Sequence, residues 1–210
     1  MSLPRTRKTE HRTEVDEKKV KLVIGKRGSG KSYLVKKMIQ DEKRLVIYDI
    51  MSEYMQGVVF DGQSEKDQLK WFWRQFYMRD FRIIYRPVLV KQEIDWIAKL
   101  VFTLGDITFV CEEIDSFCTS YDMPETFSAI VQRGRHKRIQ LIGVTPAPFG
   151  INRDLTRQAK EIYIFNTKEP KDIDYLKNLM GVEIEEKLNA LQQYEFVKWT
   201  DGIGFEIGKA

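Results

Sequence analysis

Gly25-Lys26-Arg27-Gly28-Ser29-Gly30-Lys31-Ser32 decides the reading of this chain. The stretch fits G-x-x-x-x-G-K-[ST] at every fixed position, and its setting matters more than the match. Val20-Lys21-Leu22-Val23-Ile24 before it reads as a strand, and Lys31 to about Gln40 after it as a helix. Glycines at such a turn let backbone N–H groups face a phosphate at the positive end of the helix. In that frame Lys31 neutralises β/γ-phosphate oxygens and the Ser32 hydroxyl ligates Mg²⁺. Residues Gly25, Lys26, Arg27, Gly28, Ser29, Gly30, Lys31, Ser32 and Tyr33 are therefore the expected nucleotide-binding set.

Working outward, short apolar runs alternate with helical periodicity. Leu45–Tyr48, Arg82–Tyr85, Ile107–Cys111, Ile139–Val144 and Ile162–Phe165 read as strands. Helices are expected over 64–78, 91–104, 125–135 and 171–180, the last capped by Gly181. This alternation predicts an α/β fold with a mainly parallel central sheet flanked by helices. Glu195–Trp199 and Gly204–Ile207 flank Asp201-Gly202, which adds a C-terminal β-hairpin. The expected organisation is one domain over 20–210, preceded by a polar leader over 1–19. The leader carries Arg5, Arg7, Lys8, Arg12, Lys18 and Lys19 and reads as a mobile tail or a basic arm.

The chain has 210 residues and, with 35 Lys+Arg against 31 Asp+Glu, a net charge of +4. No run of about 18 apolar residues offers a transmembrane helix, and the amino terminus has no apolar signal core. The two cysteines, Cys111 and Cys118, cannot make a disulfide scaffold, and with only two histidines a structural zinc site is not expected. A soluble, cytoplasmic domain is the expectation, and Cys111 and Cys118 read as buried small residues.

A phosphate loop needs acids at the end of another strand. Ile107-Thr108-Phe109-Val110-Cys111 runs into Glu112-Glu113. Glu112 is assigned to the metal and Glu113 to orienting or deprotonating an attacking water, a pair that argues for hydrolysis. Asp115 competes for either role or caps the next element. Asp49 and Glu53, just past the second strand, either face the γ-phosphate region or pair with lysines as loop acids. Glu53 is kept as a candidate catalytic residue.

Together these pieces resemble the HerA/FtsK superfamily of DNA-pumping ATPases. The resemblance rests on the GKRGSGKS loop, on DIMSEY (family pattern D-P-H-G-E-Y) and on CEEIDSF (E-E-A-H-x-F). It rests also on Arg133-Gly134-Arg135-His136 followed by Leu141–Pro148, against the family's G-R-K … S/T-Q-R-P segment. It covers roughly residues 20–200 and implies an ASCE/RecA-like P-loop fold, ATP and Mg²⁺ as cofactors, and a homo-oligomeric ring, expected as a hexamer. The client implied is double-stranded DNA, bound without sequence specificity. The family's sensor Gln falls on Pro146 and the neighbouring Arg on Ala147, so Thr145 inherits the sensor role. The compact chain is similar to viral genome-packaging ATPases, which implies a capsid or membrane-vertex partner and a place in host cytoplasm or virion. A HerA-like DNA-processing pump, a conjugation-type pump, a small-molecule kinase and a Zot-like morphogenesis protein are the rival readings.

Rings of this kind complete a site with an arginine from the next subunit. Arg135, aligned with the G-R-K arginine, is the first candidate; Arg133, Arg153 and Arg157 follow. An exposed basic helix end or a phosphate-backbone contact are the other readings of 133–138. Trp71 and Trp73 cannot share one helical face, so one is expected off the core, for a partner or for stacking on bases.

Overall fold

The computed structural model describes residues 19–210. The leader lies outside the described residues except for Lys19. Nine strands form one sheet: β1 (Val20–Ile24), β2 (Arg44–Tyr48), β3 (Val58–Asp61), β4 (Phe81–Arg86), β5 (Ile107–Cys111), β6 (Ile139–Thr145), β7 (Ala159–Phe165), β8 (Glu195–Thr200) and β9 (Gly204–Lys209). Seven helices among the described residues cover it: α1 (Lys31–Met38), α2 (Lys66–Phe76), α3 (Val90–Leu104), α4 (Glu125–Arg133), α5 (Arg153–Gln158), α6 (Pro170–Met180) and α7 (Glu183–Ala190).

The strand order is β3-β4-β2-β5-β6-β1-β7-β8-β9, parallel from β3 to β7, with β8 and β9 antiparallel. Every residue of β5 and β6 is buried, as expected for parallel strands covered on both faces. The two faces are covered unequally. Leu34, Val35 and Ile39, from α1 and its end, pack with Val23, Ile47 and Val144 on one face. The other face takes the apolar stripes of α2 to α7, among them Ile94, Ile97, Ala98 and Val101 of α3.

Parallel strands aligned in register put all their carboxyl ends at one edge, where a ligand meets the loops. β6 lies between β1 and β5, so the phosphate loop and the acidic strand end stand two strand spacings apart, about 9.5 Å. That gap leaves room for a phosphoryl group and a water between them.

Three elements were not anticipated. β3 is a four-residue edge strand after Gly57, too short for periodicity to reveal. α5 has only six residues, although Asn152 caps it by accepting from the Asp154 N–H at 3.0 Å. α7 opens with three acids in its first turn, a helix-start signal on a segment of only eight residues. The helix expected over 64–78 divides into a 3₁₀ turn (Gln63–Glu65) and α2. Trp73 of α2 is buried while Trp71 is exposed, so the two indoles do part company.

Candidate nucleotide site

The phosphate loop is built by backbone conformations that side chains resist. Gly28 has φ +77° and Gly30, the residue just before α1, φ +108°, both in the left-handed region where glycine carries no Cβ penalty. Gly25 has a second reason: a Cβ there would lie 2.7 Å from Cβ of Phe165 and 2.8 Å from Ser29 Oγ. Lys31 is buried, and its ammonium donates to the carbonyls of Gly25 at 2.6 Å and Lys26 at 3.2 Å. The charge is thus held inside the loop, at the N-terminus of α1.

A cleft of about 830 Å³ opens above the carboxyl edge. Of the expected residues, Arg27, Gly28, Gly30, Lys31, Ser32 and Tyr33 line it from the loop side, and Glu53, Glu112 and Glu113 from the acid side. Gly25, Lys26 and Ser29 belong to the loop but not to this lining. Ser32 and Glu112 offer only oxygen donors to one space, a set that suits Mg²⁺.

Glu112 is buried, and burial pushes its carboxyl up to about 7 against the partial relief of a hydrogen bond from Tyr54. The Tyr54 hydroxyl donates to Glu112 Oε1. Tyr54 is itself fixed by Asp49, whose carboxylate accepts from the N–H groups of Glu53 at 2.9 Å and Tyr54 at 3.2 Å. Arg86 stands 3.6 Å from Asp49 and donates to the Tyr54 carbonyl at 3.1 Å. Asp49 is fully buried and organises this turn; it does not line the cleft. Glu53, exposed, does.

Glu113 stands just before a 3₁₀ turn (Ile114–Ser116) with φ +44°, an uncommon conformation for a non-glycine residue. Its carboxyl is raised by burial and by Asp115, and lowered in part by Lys31. Asp115 accepts from the Thr145 hydroxyl at 3.3 Å. That hydroxyl is also 3.0 Å from the Ala147 carbonyl. Thr145 is fully buried, and the cleft is lined by its neighbour Pro146. Arg135 is exposed in the 3₁₀ turn Gly134–Lys137 that feeds β6. It therefore sits at the amino edge of the sheet, a seven-residue strand or about 20 Å from the cleft above β6.

Sequence reasoning missed Tyr54's bond to Glu112, the turn-organising part of Asp49, and Tyr194, which lines the cleft from the start of the C-terminal hairpin. The E-Y of DIMSEY was the available signal for Tyr54. Tyr194 had none.

A strand inserted between the phosphate-loop strand and the acidic strand, with both ends meeting in one cleft, is decisive for the fold. The chain has the fold of the P-loop NTPases. Solved structures agree. The genome-packaging NTPase B204 of Sulfolobus turreted icosahedral virus 2, in complex with AMPPCP, superposes with a TM-score of 0.73 at 21% identity. The match covers 91% of this chain and 97% of B204. VirB4 of Thermoanaerobacter pseudethanolicus matches with a TM-score of 0.55 at 12% identity, over 90% of this chain and 89% of that one. The N-terminal domain of zonular occludens toxin from Neisseria meningitidis gives 0.55 at 10% identity, over 92% and 93%. No protein-family model and no curated protein sequence matches the chain. No helix among the described residues is long and apolar enough to cross a membrane.

Proposed function

We propose that this P-loop NTPase hydrolyses ATP to pump double-stranded DNA into a viral capsid, working as a homo-oligomeric ring, a hexamer by analogy. The observation that carries the reading is the meeting of Lys31, Ser32, Glu112 and Glu113 in one cleft across the β1-β6-β5 gap. Lys31 and the N-terminus of α1 bind the phosphates. Glu113 holds the attacking water, and burial with the Asp115 charge beside it raises its carboxyl, which makes it a stronger base. Mg²⁺, held by Ser32 and Glu112, would offset the charge developing on the phosphoryl oxygens. Thr145 reports on the site through Asp115, beside Glu113.

Arg135 cannot reach the cleft of its own chain from the opposite edge of the sheet, which supports its acting on a neighbour's site. A finger supplied in this way raises rates by about 10³–10⁵. Likeness to B204 supports the packaging client; likeness to VirB4 favours a conjugation-type pump as the second reading, with the same chemistry. Steady-state ATP hydrolysis with and without linear duplex DNA, each sample sized by light scattering, tests the proposal. DNA-stimulated hydrolysis by a species larger than a monomer is expected. A monomer indifferent to DNA would refute the pump.

A further inference from the structure

We propose that Tyr194, with Asn166 and Gln193 beside it, forms the seat for the planar heteroaromatic base of the nucleotide. The inference rests on the nucleotide-hydrolysis reading above and deepens it. The acids stand at the end of β5, two strands to one side of β1. Tyr194 leads into β8, two strands to the other side. A triphosphate whose terminal group meets Glu113 must therefore send its nucleoside over Gly28 and Ser29 toward Tyr194.

The turn met there is built to hold a ring. Tyr194 has φ +65°, a strained value for a tyrosine. The backbone is pinned by Ala210 N–H donating to the Tyr194 carbonyl at 3.0 Å and Glu195 N–H donating to Gln192 O at 3.1 Å. Tyr194 Cδ1 lies 3.5 Å from where a Cβ on Gly30 would stand, so the ring rests against the phosphate loop, yet 47% of the residue is exposed. Beside it a slot of about 190 Å³ lies between Gly28-Ser29 and the 191–195 turn, with Asn166 and Gln193 at its walls. Their amides both donate and accept, which matches the mixed edge of a nucleobase. The Ser29 hydroxyl in this wall is buried and has no hydrogen-bond partner.

Tyr33 is the competing ring. It is 65% exposed and borders both the main cleft and a groove of about 510 Å³ beside Lys36 and Arg82. That groove lies toward β2 and β4, on the acid side of β1, where the terminal phosphate is directed and the base is not.

The test compares binding of ATP and inorganic tripolyphosphate, each with Mg²⁺, to wild type, Tyr194→Ala, Tyr194→Phe and Tyr33→Ala, by calorimetry. Loss of a stacking ring weakens base binding by about tenfold. Tyr194→Ala is expected to lose about that factor for ATP and nothing for tripolyphosphate, while Tyr194→Phe stays within about twofold of wild type. Equal losses for both ligands, no loss for either, or an ATP-specific loss carried by Tyr33→Ala would overturn the base seat and leave the phosphate site standing. Wild type that binds neither ligand would overturn the nucleotide reading, and the base seat with it. Urea midpoints verify folding, and Tyr194→Ala should not fall below wild type by that measure.

Discussion

Replacing Glu112 by Gln should make the ligand-free protein more stable at pH 8, because the buried carboxylate opposes folding once it ionises. Its carboxyl titrates at about 7 when folded and near 4.5 when exposed by unfolding. Between those values the folded state holds a proton that the unfolded state has released, so stability falls as pH rises from 4.5 through 7. The full gap corresponds to about 3 kcal/mol at 1.36 kcal/mol per pH unit. Part of it is already lost at pH 5, so about 2.5 kcal/mol separates pH 5 from pH 8. Gln keeps an oxygen that can accept from Tyr54 and removes the charge, so the variant should lack this part of the pH dependence. The assay is urea unfolding of both proteins at pH 5 and pH 8, with chelator present, comparing the two differences. Glu113, raised in the same direction, contributes to both and cancels to first order. Equal losses of stability in wild type and Glu112→Gln would refute the claim that Glu112 is held in a desolvated site.

Tyr54→Phe removes only the hydroxyl that donates to Glu112. It should cost about 1–3 kcal/mol in denaturant unfolding and raise the Glu112 carboxyl further, since that bond lowers it. Glu113→Gln should cut steady-state hydrolysis by about 10²–10⁴-fold while calorimetric ATP binding persists; Lys31→Ala should lose the binding itself. Arg135→Ala should be inactive alone, but mixing it with Glu113→Gln should restore part of the hydrolysis, because mixed rings pair an intact acid with an intact arginine. No recovery on mixing would move the finger to Arg133, Arg153 or Arg157. Gly30→Ala puts a Cβ on a residue with φ +108°, 3.3 Å from Ala210 Cβ. A lower thermal midpoint, by about 1–2 kcal/mol of strain, is expected.

Much of the site was legible because it is local. Gly25 to Ser32 is one continuous turn, and Glu112-Glu113 follow a strand whose five residues are all buried, so pattern and spacing sufficed. Asp49 shows the limit: at the end of a strand it is indistinguishable from a ligand-facing acid. Only its two hydrogen bonds to the backbone of the next turn, and Arg86 behind it, show what it does. The edge strand β3 and the short helices α5 and α7 escaped because four to eight residues complete too few periods to stand out.

What the sequence determined by itself was the alternation of strand and helix, the phosphate loop, the acid pair and the terminal hairpin. Each is set by neighbours a few residues away, through backbone conformation and side-chain period. The tertiary structure alone decided that β6 runs between β1 and β5, and that Tyr54 meets a carboxylate 58 positions further on. It alone set Arg135 at the far edge from the cleft and Tyr194 beside it. A hydrophobic run declares that a strand will be buried without declaring beside which other strand. That choice belongs to how the strands and helices of the described residues share two apolar faces at once.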